Sequence, residues 1–523
     1  METTYIVLII LTAIYVPLWF YVKFGKKLGL KGAEKLEEKG IGPYGPTIMI
    51  RTKVGFKVIN YLGRYKRFWR VCGILSRIVT IILMTYIVAI IILDLVLLPQ
   101  AIGKGGMGIE YALAIPGLNP MLPIVYGWIG LIIAMVMHEL AHGIQSRAND
   151  ISVDSTGLLY AVVPVGAFVE PNEEEIEKAS RGARMDLYAA GITMNTIIAV
   201  VTFILMFAMM SGGMVSDHGD SAAVYGITSG SPALDCDIPA TSIILEVNGE
   251  AVDDVDAFYR YIDDHGYGVY DVKFLYKGDE FVRTLQLGTF VNGVVKDSPA
   301  SKTGLDKGDF IISFTSKTET PVTYDIGSTD SFTKFVKTTK EGDVFDMTYY
   351  DSSAKENVTE TITLGNNGGI GYVGVTTTVS GMSITTPDLV KYTGIDPYFG
   401  CETLSDYANN TIRYIAMAFN GFSPVPESTQ WWYHNDAISD DFAWILISAL
   451  YWIFWLNIVL GVTNALPAVP FDGGFLFAGG VDFIAEKFIK DEKKKDAFVN
   501  ALCSAVTYFM LLALVLVLVV IVF

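Results

Sequence analysis

The chain has 523 residues, 51% of them hydrophobic and 18% charged, with a mean hydropathy of +0.42. An average soluble domain carries about 25% charged residues, so the composition excludes disorder and argues against a single water-soluble globule. The net charge of −17 is unevenly spread: Gly213–Phe442 holds 14 basic and 34 acidic residues, the rest 24 basic and 21 acidic. An acidic, water-facing middle is therefore framed by apolar, slightly basic ends, and no basic face is present for nucleic acid.

Six runs approach or exceed the roughly 20 apolar residues that cross a hydrocarbon core. They are Thr4–Tyr21, Val71–Leu98, Met121–Ile144, Leu187–Met210, Phe442–Thr463 and Phe498–Phe523. The first lacks the basic start and small-residue cleavage site of a signal peptide and reads as an anchor. Lys23–Arg70, with 13 basic and 3 acidic residues, belongs in the cytoplasm. Lys487, Lys490 and Lys493–Lys495 put the loop before the last run on the same side. Alternating spans then leave the amino terminus and the acidic middle outside, with runs three and five pointing the same way. Asp94, in run two, falls near the outer end, too distant to join a site at the inner one.

Run three ends Met135-Val-Met-His138-Glu139-Leu-Ala-His142-Gly143. Residues i and i+4 share a helix face about 6 Å apart. His138 and His142 can thus bind one ion, with Glu139 on the adjoining flank to hold a water. Three polar residues facing a bundle interior is the plainer reading, but each intramembrane ionisable group costs about 2.5–3.5 kcal/mol on insertion scales. Two of the five histidines of the chain fall here. The four cysteines (Cys72, Cys236, Cys401, Cys503) form no Cys-x-x-Cys pair, which argues against a thiolate zinc site; Cys236 and Cys401 alone share the outer compartment.

The acidic middle breaks into short β-rich runs parted by Gly, Asp and Ser. Two stretches repeat one order of parts. Ser229-Gly-Ser-Pro-Ala233 precedes the strand around Ile243–Val247 and the helix-like run Val255–Ile262; Lys296-Asp-Ser-Pro-Ala300 precedes Gly304–Phe314 and Ser331–Lys337. The pair resembles tandem PDZ domains at 222–287 and 290–364. That resemblance implies capture of a peptide or chain end on a sheet edge; passive spacers are the alternative. The first copy is the poorer match, with Asp235–Pro239 where the second has Leu305–Asp309. Asn357-Val-Thr and Asn409-Asn-Thr are sequons on the outer side.

Run five leads into Asn464-Ala-Leu-Pro467-Ala-Val-Pro470-Phe-Asp472-Gly473-Gly474. Pro467 and Pro470 break the helix and leave room for a carboxylate to turn inward. Because runs three and five point the same way, both motifs reach the cytoplasmic end. A catalytic zinc takes three protein ligands and keeps one open position, so His138, His142 and Asp472 are the expected set, one Zn²⁺ per chain. A solvated Asp in a helix-ending turn is the bland alternative.

These motifs resemble the site-2 protease family of intramembrane zinc metalloproteases. His138-Glu-Leu-Ala-His142 matches its HExxH, and Asn464-x-x-Pro467 with Phe471-Asp472-Gly473 matches its Asn-x-x-Pro…Leu-Asp-Gly, Phe471 replacing Leu. Lesser echoes are Ile115-Pro-Gly-Leu-Asn119-Pro, Gly166-Ala-Phe-Val-Glu-Pro171 and Gly191-x-x-x-Asn195. The resemblance implies hydrolysis of peptide bonds in transmembrane segments of other membrane proteins, with Glu139 as the catalytic proton carrier. It also implies that Asn464 bonds the substrate backbone or its oxyanion; a helix-capping Asn is the rival role. Pro467, Gly166, Phe168 and Asn195 are the implied substrate-binding positions. A helical substrate must unwind before attack, and backbone exposed in lipid costs several kcal/mol. By resemblance to the family's re-entrant β element, Leu158–Val169 is expected as an extended edge beside the substrate, a plain surface loop being the alternative, and Gly105–Pro120 is a candidate to fold back at the outer side.

The expected fold class is a polytopic α-helical membrane protein with about six spans and an inserted extracytoplasmic tandem PDZ region of all-β or α+β type. Its parts are 1–98 (two helices and a basic loop), 99–212 and 442–523 (the catalytic core), 222–287 and 290–364 (PDZ-like), and 365–441 (linker). Transmembrane substrates, PDZ ligands and the bilayer are the expected partners. A silent scaffold with PDZ modules is the rival from another class. A transporter or electron carrier fits worse, since both histidines share one helix and no inverted repeat occurs.

Overall fold

The structure is a computed structural model and describes residues 2–101, 116–117, 119–120, 122–416 and 424–522. The chain divides into two compact units, 1–207 with 412–423 and 445–523, and 208–411 with 424–444.

The first unit opens with helix α1 (Glu2–Phe24), helix α2 (Ala33–Glu38) and a hairpin of β1 (Ile41–Tyr44) and β2 (Thr47–Thr52). Helices α3 (Phe56–Gly63), α4 (Lys66–Ala101) and α5 (Ile124–Ala148) lead to β3 (Val153–Tyr160), β4 (Pro164–Pro171), α6 (Glu173–Lys178) and α7 (Arg181–Gly213). The β strands form one antiparallel sheet in the order β1-β2-β3-β4, so β4 is an edge. Gly45 takes φ +56° in the two-residue turn joining β1 to β2, the positive φ that tight hairpins need. The Arg51–Glu170 pair, 3.1 Å, reaches across β3 to tie β2 to β4. The basic stretch Lys23–Arg70 thus supplies half of a sheet. The short apolar run Ile48-Met-Ile50 between Thr47 and Arg51, directly after the turn Gly45-Pro46, is the signal that marks β2.

The second unit begins with β5 (Ala223–Ile227), α8 (Pro232–Asp235), β6 (Ile243–Val247), β7 (Glu250–Ala251), α9 (Val255–His265), β8 (Gly268–Tyr276) and β9 (Asp279–Leu287). It continues through β10 (Thr289–Val294), β11 (Phe310–Ser316), β12 (Thr323–Asp325), α10 (Thr329–Thr338), β13 (Val344–Asp351) and β14 (Glu356–Thr363). Strands β15 (Gly365–Asn367), β16 (Ile370–Tyr372), β17 (Val375–Val379) and β18 (Met382–Thr385) follow, then α11 (Pro387–Ile395) and α12 (Leu404–Ala416).

Twelve strands join in one antiparallel sheet, along β14-β13-β11-β10-β17-β18-β5-β6-β8-β9, with β12 on β11 and β7 on β6. Each half has its own core. Asp254 caps α9, which buries Phe258 and Ile262 among Val247, Val272 and Phe274; Ser328 caps α10, which buries Phe332 and Phe335 beside Phe314 and Met347. The stretch 365–441, expected as linker, supplies the strands that join the halves. The two Ser-Pro-Ala turns dock on it alike: Ala233 N–H donates to Ser380 O at 3.2 Å, and Ala300 N–H to Val373 O at 2.9 Å.

Three long helices of the chain follow: α13 (Asp440–Asn464), α14 (Asp472–Phe488) and α15 (Glu492–Val522). Among the described residues five helices are long and apolar enough to cross a membrane: α4, α5, α7, α13 and α15. The first expected span coincides with α1, whose apolar stretch Ile9–Phe24 is shorter than those five. Gly105–Pro120 lies mostly outside the described residues. All four cysteines are free, Cys236 and Cys401 included.

Candidate metal centre

The expected i,i+4 register on α5 is realised. His138 and His142 are buried, their ring centroids 4.7 Å apart and their Nε2 atoms 3.1 Å apart. Asp472, in the first turn of α14, brings Oδ2 to 3.0 Å from His138 Nε2 and 3.2 Å from His142 Nε2. The carboxylate does not hang from the end of α13. It opens a separate helix after the Pro467–Pro470 turn, in which Pro467 is buried. Gly473 and Gly474 make that entry sterically feasible: a Cβ at 474 would lie 2.6 Å from the carbonyl carbon of Ala468, and one at 473 would run into Ala465 O.

His142 Nδ1–H donates to the Leu187 carbonyl of α7 at 2.8 Å, which leaves the lone pair of the neutral ring on Nε2. That lone pair faces a second imidazole nitrogen and a carboxylate oxygen, an arrangement that repels unless a cation or a proton lies among them. All three donor atoms fall within 4.8 Å of one another. Donors held at about 2.0–2.1 Å by a tetrahedral zinc stand about 3.3 Å apart, close to the separations found. The donor set therefore fits zinc and leaves one position open. Helix α7 makes room for it at Gly191, where a Cβ would lie 2.5 Å from His142 Nε2 and 2.6 Å from His138 Nε2.

Glu139 projects to the neighbouring flank, where its Oε2 accepts the Val169 N–H of β4 at 2.8 Å. Gly166 and Phe168 lie on the same edge strand, opposite Leu159 and Gly157. Among the described residues neither Asn464 nor Asn195 hydrogen-bonds to this group. Asn464 donates its amide to Leu460 O one turn back on α13, at 3.0 Å, as a residue serving its own helix end does. Asn195 is fully buried on α7, with neither amide atom hydrogen-bonded among the described residues. Asp94 is exposed on α4. The sequence pattern does not reveal Leu187 O and Val169 N–H, because backbone groups carry no residue signature; the Gly191-x-x-x-Asn195 spacing is the signal for Gly191.

A protein of Methanocaldococcus jannaschii, named as uncharacterized, is 28% identical over 266 residues, 50% of this chain. The chain spans 64% of that relative's length. The model of Peptidase family M50 matches residues 126–514, from before the histidine pair to well beyond Asp472. With more than half of its length inside that match, the chain belongs to peptidase family M50, the site-2 protease family.

Proposed function

We propose that the protein is a zinc-dependent intramembrane endopeptidase that hydrolyses peptide bonds in or near transmembrane segments of other membrane proteins. The observation that carries this reading is the meeting of two imidazole nitrogens from α5 with a carboxylate of α14, 334 residues away from His138 in sequence, at 3.0–3.2 Å. Family membership supports it. His138, His142 and Asp472 hold the ion. When bound, zinc supplies the Lewis acidity that makes water nucleophilic near neutral pH.

The rest of the work falls to the chain. Glu139 takes the proton of the attacking water, the water oxygen bonds to the peptide carbon, the C–N bond breaks, and Glu139 returns the proton to the leaving nitrogen. The Val169 N–H occupies Oε2 of Glu139 and so points the other oxygen to this task. The free edge of β4, carrying Gly166 and Phe168, offers backbone partners to a locally unwound substrate. Asn464 spends one amide hydrogen on Leu460 O, which leaves its second N–H and its Oδ1 to meet a substrate.

Orientation follows from the basic segment Lys23–Arg70, which runs into the first turns of α4 and stays in the cytoplasm. Helices α5 and α13 then both end at the cytoplasmic face, and the acidic sheet unit lies outside as a PDZ-like pair that screens or recruits substrate. Placing the amino terminus outside requires α1 to span as well.

The deciding experiment uses the full chain in detergent. Zinc is counted by mass spectrometry, and cleavage of a model transmembrane peptide is compared for wild type and Glu139→Gln. One zinc per chain with cleavage lost in the variant is the expected result; equal cleavage by both, or a metal-free wild type, ends the proposal.

A further inference from the structure

Helix α14 delivers Asp472 and packs mainly along α15. Only Gly473, Gly474, Leu476 and Ala485 of its 17 residues are buried. Its attachment to α7 runs through discrete contacts, and three of them fall on one line. Phe475 stacks on Tyr188 of α7, with centroids 4.6 Å apart and planes at 15°. Gly479 lies against Met185, where a Cβ would be 2.9 Å from Met185 Cγ. Arg181 donates to Asp482 and Glu486, each at 2.7 Å. On α7 these residues are spaced i, i+4, i+7, and on α14 i, i+4, i+7, i+11. Each series follows one helix face, so the two faces close antiparallel to one another.

A cavity of about 480 Å³ runs along this seam, lined among others by Arg181, Met185, Tyr188, Phe475 and Asp482. On its α7 side, helix α14 is thus pinned at points, while α15 packs along it. The same stretch of α7 also fixes a histidine, since Leu187 O accepts from His142 Nδ1 and adjoins the stacked Tyr188. Helix α7 is the common reference for both ligand-bearing elements. The outer pin is firm: Arg181 and Asp482 are mostly shielded, at 26% and 21% side-chain exposure. Lys495 of α15, itself buried, holds the other Asp482 oxygen at 3.2 Å.

We propose that Arg181 is a positioning residue for the metal centre. By anchoring Asp482 and Glu486 it holds α14 on α7, and so keeps Asp472 beside the histidines although the clamp lies about 15 Å away along the helix. The inference rests on the metal-centre reading above. Its physical content is leverage: with the outer pin gone, α14 swings about the glycine pair at its start, and the carboxylate samples positions out of reach of the ion.

The test is zinc affinity of the full-length protein in detergent, by competition with a chromophoric chelator, together with the visible spectrum of the Co²⁺-substituted protein. Arg181→Ala is expected to weaken zinc about tenfold or more, the range seen when residues supporting metal ligands are lost, and to alter the cobalt bands. The double variant Asp482→Ala/Glu486→Ala, which also takes the partner of Lys495, should be at least as weak, and adding Arg181→Ala to it should make it no worse, as for groups acting as one unit. Arg181→Lys, which keeps the cation, should fall between. Lys26→Ala, which removes an exposed pair with Glu37, should leave affinity unchanged.

Should Arg181→Ala not fold, Glu486→Gln, at a 56% exposed position, decides the matter by the direction of its effect. Wild-type zinc affinity and cobalt spectrum in folded Arg181 or Glu486 variants overturn the inference while the metal reading stands. Failure of wild type to bind zinc better than His138→Ala removes the reading beneath it.

Discussion

At Gly191 the centre tolerates no side chain. A β-carbon would stand 2.5 to 2.6 Å from both ligating nitrogens, well inside van der Waals contact, and α7 cannot retreat without dragging Leu187 from His142. Gly191→Ala is therefore expected to lose most of its zinc in metal analysis while keeping its helical content by circular dichroism, since alanine is the better helix former. The three residues of the candidate centre are legible from spacing: i,i+4 histidines in an apolar helix, then an acid beyond a proline break. What supports them is not. Leu187 contributes a carbonyl and Val169 an amide, and any residue but proline offers the second. Asn464 shows the converse, a residue whose identity suggests substrate contact while its amide serves Leu460 of its own helix.

Elements explain how Glu139 comes to be aimed. Strand β4 is the edge of its sheet and turns the Val169 N–H outward, where Glu139 takes it. Val169→Pro removes that donor at an edge position, where proline is sterically tolerated. A hydrogen bond to a charged group contributes about 1.5–3 kcal/mol, so turnover should fall by roughly ten- to a hundredfold. Metal content should be unchanged; a loss of zinc would mean that the strand supports the ligands instead. The sheet depends in turn on Gly157, where a Cβ would lie 2.6 Å from the Phe168 ring and clash with Ile50 O of β2. Gly157→Val should lower the melting temperature and cleavage together. Sequence patterning anticipates an extended Leu158–Val169 but not its partners. Strands β1 and β2 are four and six residues long and sit among basic residues that draw attention as a charge run.

On the scale of the whole molecule, the charge partition matches the division into units, yet the acidic unit is less local than its repeats suggest. Each half has its own core and capped helix, which the sequence pattern conveys because those contacts lie within some seventy residues. The seam does not. Strand β17 pairs with β10 and β18 with β5, so the ribbon Val375–Thr385 closes a half that begins about 150 residues earlier. Strands of five and four residues pairing at that range leave almost no periodic signal. The tight turn between them stakes the design on two residues. Ser380 and Gly381 take φ +57° and +89°, and a β-carbon at 381 would run into Ser231 of the first Ser-Pro-Ala turn. Gly381→Val thus combines backbone strain of about 1–3 kcal/mol with a steric clash borne by the first half. Amide exchange should speed up in β5 and β6 and stay slow in β11 and β13, whose pairings do not involve the turn. Uniform acceleration across all four strands would mean that the ribbon welds the halves into a single cooperative unit.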